Sequence, residues 1–336
     1  MGRMEQRRQE ARKKRKVKRW IFIPLLVIVL PLTLFGTYLG YKVVTTASDM
    51  QEDLARGEKS EKRDEAVDIS KDHFSVLFLG VDTDDPNENS RADALILATF
   101  NREDSSIKLL SIPRDSLVDI PGRQNRDKIN HAHAFGGVDL TIDTVENMLD
   151  IPVDFYTKMN FHGFVDIIDA LGGVEVDVPF DFETHGTEGS ANMVYFEEGR
   201  QHLDGEEALG YVRMRKQDPR GDLGRGERQQ EVMEAVIRRA GSISSVARYD
   251  DVLDEIGNNM STNLSLGNIL SLHPYAQSLD SIETVNLSGS DLTQNGVYYY
   301  QVSEDSLQEA RDRLKVHLDM IEEPHTYSAQ EASDYE

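Results

Sequence analysis

The stretch Trp20 to Tyr41 runs for 22 residues without a charged side chain, and it constrains this chain more than any other feature. As a helix rising about 1.5 Å per residue it would reach roughly 33 Å, enough to cross a bilayer core. Pro24 and Pro31 lie inside it, and membrane helices tolerate proline better than soluble ones do. The preceding residues 1–19 carry ten Lys/Arg and two acids. Basic leaders stay in the cytoplasm, so the expectation is a cytoplasmic segment at 1–19, one transmembrane helix at 20–41 and the remainder outside the plasma membrane. A cleaved signal peptide is the competing reading. Its apolar region would span about 7–15 residues and end at a small-x-small site, which is not evident here.

The outer part is strongly acidic. With the leader and Lys42 set aside, 26 Lys/Arg face 58 Asp/Glu, a formal net of -32. Such a surface opposes sequence-independent nucleic-acid binding, which depends on cations meeting phosphates. Cysteine is absent, so disulfides and thiolate metal sites are excluded.

Residues 42–72 are rich in charge and poor in apolar side chains, the composition of a stalk. Apolar runs at 74–80, 94–100 and 107–112 predict three strands, the last two joined by the turn-prone Asn101–Ser106. Helical spacing marks 139–149 and 162–171, the latter stopped by Gly172-Gly173. Val174 to Val178 alternates as a half-exposed strand, 180–199 reads as a long loop, and 206–209 as a brief helix. An amphipathic helix follows at 229–240, then strands at 281–287 and 298–302 and a helix at 304–318. These mix as one α/β domain over 73–320, followed by an acidic, disordered tail at 321–336.

Against the acidic background, six basic residues crowd between Arg213 and Arg228, five of them arginines. Guanidinium groups grip phosphate oxygens in pairs, so this concentration points to a focused anion site. Arg213 and Arg215 alternate along an expected extended segment and so share a side. Arg225 and Gln229, four apart at a helix start, share a face. Three further groups flank predicted strands: Gly80-Val-Asp82, Arg91-Ala-Asp93 and Ser111-Ile-Pro-Arg-Asp115. Open α/β sheets bind ligands at such strand ends. Asp82 and Asp93 can share a Mg²⁺, which bridges carboxylates to substrate phosphates. His131 and His133 can form a metal pair, but no third ligand is evident. Signatures of serine hydrolases, Walker loops and zinc proteases are missing.

In this order, with Asp127-Lys-Ile-Asn130, Gly136-Gly137, Leu171-Gly-Gly-Val174, Leu203–Leu209 and Gly221-Asp-Leu-Gly-Arg225 followed by Arg228-Gln229, the groups resemble the LytR–CpsA–Psr family of membrane-anchored cell-wall enzymes. The resemblance spans about Phe74 to Ala240. It implies an α-β-α sandwich around a central mixed sheet, preceded by one transmembrane helix. It also implies a lipid cavity with a charged mouth, walled by the helices at 139–149, 162–171 and 229–240. The implied reaction moves an anionic glycopolymer, such as wall teichoic acid, from a polyprenyl pyrophosphate carrier to a muramic acid hydroxyl of peptidoglycan, forming a phosphodiester. Asp82 and Asp93 would hold Mg²⁺, and Arg91, Arg114, Arg213, Arg215, Arg225 and Gln229 the phosphates. Lys128 and Asp222 would assist, and Asp93 or Asp115 would take the proton. Hydrolysis of the lipid diphosphate is an expected side reaction. Two rivals stand beside this reading: a non-catalytic binder of lipid-linked or wall polymer, and a membrane-bound transcription attenuator. The outer charge and the lack of a DNA-binding motif oppose the second.

Overall fold

The computed structural model describes residues 38–322, apart from 39, 43, 47, 49, 82–89, 186–192, 242–258, 273 and 276–281. The expected membrane helix and acidic tail therefore lie almost wholly outside the described residues. Among those described, no helix is long and apolar enough to cross a membrane. Residues from Ala47 onward form one compact unit.

Three adjacent strands, β1 (Phe74–Val81), β2 (Ala92–Phe100) and β3 (Ile107–Ser111), form the middle of a six-stranded mixed sheet. β2 runs antiparallel to both neighbours, with Gly80 opposite Ala94 and Ile96 opposite Ser111. The end of β1, the start of β2 and the end of β3 therefore meet at one edge. A two-residue ladder, β4 (Leu117–Val118) with β5 (Asp127–Lys128), follows, then helix α1 (Asn130–Leu149), interrupted at Gly136 and Gly137. Strand β6 (Phe155–Asn160), unforeseen in the sequence, pairs in parallel with β1 and brings Asn160 beside Val81. It leads directly into α2 (Phe161–Leu171), which ends at Gly172 with φ 80°. Only a residue at ease in the left-handed region closes a helix this way cheaply.

Strand β7 (Val174–Val178) pairs with β10 (Gly199–Leu203). The segment between them, expected to be a loop, contains the hairpin β8 (Phe182–His185) and β9 (Met193–Phe196). Phe182 and Phe196 stack at 4.6 Å between ring centroids, which explains a strand pair in so polar a stretch. Helix α3 (Gly205–Arg213) starts at a reciprocal capping box between Asp204 and Glu207. Helix α4 (Asp222–Gly241), strand β11 (Met260–Thr262) and short helix α5 (Leu266–Ser271) follow. Strand β12 (Ile282–Val285), hairpin β13 (Gly289–Gln294) and β14 (Val297–Val302), and helix α6 (Glu304–His317) complete the order. β11 and β12 edge the sheet, beside β6 and β3.

Alternation in the strands separates two apolar layers. Leu77, Leu79, Leu95, Leu97 and Leu110 face α1 and α6. Phe74, Val76, Ile96, Ala98, Ile107 and Leu109 face the other way, toward Met233 of α4 and Ile269 of α5. Helices thus cover both faces, giving the expected α-β-α layering. The three helices expected to wall one cavity do not share a layer. Val236 of α4 packs with Ile167 and Leu171 of α2, whereas α1 lies in the opposite layer.

The charged stretch expected as a stalk is, from Met50 to Asp72, a strap packed on the domain. Met50, Leu54 and Ile69 are buried. Glu52 N donates to Thr262 O at 2.8 Å, and Thr262 N donates to Met50 O at 2.9 Å. Arg56 reaches Glu146 at 2.9 Å, Lys62 reaches Asp150 at 2.7 Å, and Arg63 reaches Asp154 at 2.8 Å. Arg56, Lys62 and Arg63 are each paired with an acid of the domain, so a polar composition did not mean a free segment.

Candidate functional site

The site grows from the sheet edge where β1, β2 and β3 meet. Ile112 N continues the ladder to Leu95 O at 2.8 Å. After Pro113 the chain then turns, and Arg114 comes back over the start of β2. There its Nη1 lies 2.6 Å from Asp93 Oδ1. Next in sequence, Asp115 is buried and gathers cations from three segments. Lys128 Nζ on β5 is 2.7 Å from its Oδ1, while Arg215 Nη1 and Arg114 Nε stand 3.8 and 3.9 Å from its Oδ2.

Burial alone would push the Asp115 carboxyl up. The Lys128 hydrogen bond and the fields of Lys128, Arg114 and Arg225 outweigh it and hold the group below the ordinary carboxylate value. Asp115 is therefore a fixed anion that positions cations, and a weak proton acceptor.

Arg225 reaches this neighbourhood because α4 starts close over β3. A Cβ on Gly226 would stand 2.9 Å from Ser111 Oγ, so a larger residue there would push the helix start away. Arg225 is buried, and Gln229 lies half-buried one turn on. Asp222 opens the same helix. Arg213 is the last residue of α3, not part of an extended segment; Met214 after it is extended. The expected alternation with Arg215 is replaced by a helix end. The Arg213 guanidinium instead lies 4.9 Å from the Phe161 ring centroid, and Phe161 follows the end of β6 at the same sheet edge. Arg91 is exposed just before β2. The structure thus brings Asp93, Arg114, Asp115, Lys128 and Arg215 together, with Arg225 close by and Arg213 at the same edge. Asp82 follows β1 directly but lies outside the described residues.

Arg228, in the same motif, belongs to the scaffold. It is 2 % exposed. Its guanidinium donates to Tyr211 O at 3.1 Å, to Asp218 Oδ2 at 2.5 Å, and to Met214 O. Those three bonds tie α3, the following loop and α4 together, and so place Arg213, Arg215 and Arg225. Neither histidine of the suggested metal pair joins the other: His131 binds Asp127 at 2.9 Å, and His133 Nδ1 lies 2.6 Å from Ser90 O. Among the described residues no group of three or more His, Asp or Glu side chains converges as a metal cage. Sequence reading also missed Tyr298 and Tyr299, whose ring centroids lie 5.8 and 5.7 Å from Lys128 Nζ. The only signal was three consecutive tyrosines in a predicted strand.

An α-β-α domain that masses arginines and a lysine around two carboxylates at its strand ends is built to hold a multiply charged anion. The chain belongs to the LytR_cpsA_psr family, which it matches over residues 37–316. It is 43% identical over 320 residues to the polyisoprenyl-teichoic acid–peptidoglycan teichoic acid transferase TagT of Bacillus subtilis (strain 168), covering 93% of this chain and 98% of that protein. The transferase TagU of Halalkalibacterium halodurans is 44% identical over 289 residues, covering 85% of this chain and 93% of that protein. A solved structure of the LytR-CPS2A-psr family protein YwtF (TagT) with bound octaprenyl pyrophosphate lipid superposes with a TM-score of 0.64 and 41% identity, over 80% of this chain and 99% of that one.

Proposed function

We propose that this protein is a phosphotransferase that moves an anionic glycopolymer from a polyprenyl pyrophosphate carrier to a peptidoglycan muramic acid hydroxyl. The carrying observation is the cation surplus around Asp93 and Asp115, in a chain of formal net charge -23. The relatives' names supply the substrate class. The hydroxyl oxygen attacks the phosphorus nearest the glycan, and the bond to the lipid phosphate breaks. Charge collects on that departing phosphate, where preorganised guanidinium groups stabilise it most. Arg114 is aimed by Asp93 and Asp115, and Arg215 and Lys128 by Asp115. Asp93 meets one cation where Asp115 meets three, and it is assigned here as the carboxylate that takes the hydroxyl proton.

Mg²⁺ fits the donor chemistry of Asp93, since this hard cation commonly uses one or two carboxylates and completes its shell with phosphate oxygens and water. An ionised carboxylate offers about four lone-pair sites, so the Arg114 bond leaves acceptor capacity on Asp93. Asp93 and Asp82 would hold the ion, and it would add positive charge on the phosphates. Water in place of the hydroxyl would give hydrolysis as a side reaction. The segment 20–41 would anchor the domain outside the plasma membrane, with residues 1–19 inside.

The test incubates the full-length protein in detergent with a defined lipid-diphosphate glycan and peptidoglycan fragments, with Mg²⁺ or with chelator. A phosphodiester-linked product is expected with Mg²⁺, and its loss on chelation. Binding of the lipid without product under either condition would replace the enzyme by a carrier. A carboxyl-terminal topology reporter found in the cytoplasm would overturn the anchoring.

A further inference from the structure

Hairpin β13–β14 is fastened to the heart of the site by its backbone. Tyr300 N donates to Asp115 O at 2.9 Å, and Tyr300 bridges to Ser116. Tyr300 itself is buried, whereas Tyr298 and Tyr299 are half-buried. Neighbouring residues on a strand ordinarily point to opposite faces. Here both rings come within 5.8 and 5.7 Å of one ammonium, Lys128 Nζ, which is also 2.7 Å from Asp115. The Tyr298 hydroxyl donates to Asp291 at 2.8 Å, which holds that ring in place.

A cation between two aromatic faces gains some stability from them, but that use alone needs only one ring. Two partly open rings beside a cluster of guanidinium groups offer a different surface: flat and apolar, with polar tips and a charged neighbour. A pyranose ring has the matching shape, with an apolar C–H face and a rim of hydroxyls. Under the function proposed above, on which this inference rests, sugars adjoin the reacting phosphate on both sides. One is the donor glycan bonded to the pyrophosphate, and the other is the acceptor sugar that carries the attacking hydroxyl. We propose that Tyr298 and Tyr299, with Lys128 between them, form a subsite for a pyranose ring of the wall glycan next to the phosphate cluster.

The experiment measures KM separately for a lipid-diphosphate disaccharide and for a peptidoglycan oligomer, using full-length wild type, Y298L, Y299L, the double leucine variant, Y298F and Y299F. Leucine keeps bulk in the hairpin and removes the ring face; phenylalanine keeps the face. The double leucine variant is expected to raise one of the two KM values about tenfold, with kcat within about twofold. A rise in the donor KM places the donor sugar on the rings, and a rise in the acceptor KM places the acceptor sugar there. Y299F should stay within about twofold of wild type, whereas Y298F, which also loses the Asp291 hydrogen bond that holds its ring, should raise the affected KM by less than Y298L does. Unchanged KM for both substrates in a double variant of unaltered melting temperature would overturn the subsite, as would a fall in kcat alone. Should the double variant melt early, the single leucine variants are read by the same criteria. Should wild type give no transfer at all, the function reading falls separately. The subsite is then judged by calorimetric titration with the lipid-free disaccharide phosphate: binding weakened about tenfold by the leucines supports it, and equal or absent binding rejects it.

Discussion

The flank covered by the strap and the strand-end cluster both bring arginines onto buried carboxylates, to opposite effect. On the flank the two buried acids, Glu146 and Asp154, are each filled by one cation plus neutral donors. Glu146 takes Arg56 at 2.9 Å, Ser60 Oγ at 2.7 Å and Val153 N at 2.8 Å. Asp154 takes two bonds from Arg63 and one from Ser75 N. At the strand ends the ratio is reversed, with Arg114, Lys128 and Arg215 converging on Asp115 and only Asp93 added on the acid side. One-to-one pairing holds a chain in place. A surplus of one sign persists only where it serves an incoming opposite charge, because like charges held together cost stability.

The largest effect that could break this comparison is on the flank. Glu146→Ala would strand Arg56, whose side chain is 14% exposed, as an uncompensated charge. A loss of about 3–5 kcal/mol is expected in denaturant unfolding, with transfer per folded molecule unchanged. Lost turnover at full stability would erase the distinction.

Arg114→Ala is the converse. Removing one preorganised cation from developing phosphate charge should cost transfer about 100- to 1000-fold in kcat, or about 2.7–4 kcal/mol, without lowering the melting temperature. Full activity in a phosphodiester-forming assay would show the cluster to be structural.

A third measurement sharpens the structural side through pH. His317, in the last turn of α6, lies 2.8 Å from Thr99 Oγ1 and 2.8 Å from Ser106 Oγ. Burial, with Lys108 nearby, pulls its imidazole down to about 4 from 6.5. Between those values the unfolded chain binds a proton that the folded chain refuses. Stability is therefore complete above pH 6.5 and falls as pH drops toward 4, by about 1.4 kcal/mol per unit and about 3 kcal/mol in all. Thermal melts across that window should show the slope in wild type, and His317→Gln should flatten it. An unchanged slope would mean the ring is charged or exposed in the folded state.

The smallest effect belongs to Asp150, held by Lys62 and Lys315 at 2.7 and 2.6 Å with its side chain 56% exposed. Those hydrogen bonds lower its carboxyl to about 2 from 3.8. Its contribution is present above pH 3.8 and lost as pH falls toward 2. With solvent screening, Asp150→Asn should cost no more than about 1 kcal/mol near neutral pH. A larger loss in chemical denaturation would make the strap's surface pairs as important as its buried ones.

Much of the central sheet was legible. The apolar runs of β1, β2 and β3 announced buried strands, and Gly172 announced the end of α2. Strand β6 was not, because Phe-Tyr-Thr-Lys-Met-Asn shows neither clean alternation nor an apolar run, and its strand state depends on β1 beside it. The hairpin β8–β9 was hidden in a polar segment whose order comes from aromatic stacking across it. In the site, Arg114 and Asp115 were read from residue type and position at a strand end, and Arg215 from the crowding of arginines around it. Arg213 was placed in the wrong local structure, because the capping box that starts α3 carries the helix through it. Tyr298 and Tyr299 had no local mark distinguishing them from core aromatics.

By itself the sequence determined the chemistry available: many guanidinium groups in one short span, few carboxylates near strand ends, and alternation that commits the strands to a two-sided core. Those properties are local, set by side-chain type and by backbone period. Only the tertiary structure decided which charges neutralise one another and which remain for a ligand. Arg56 and Glu146 are 90 residues apart along the chain, and Arg215 meets Asp115 from across the domain. Coulomb attraction depends on distance in space and on exclusion of water, and neither can be read until the chain has folded.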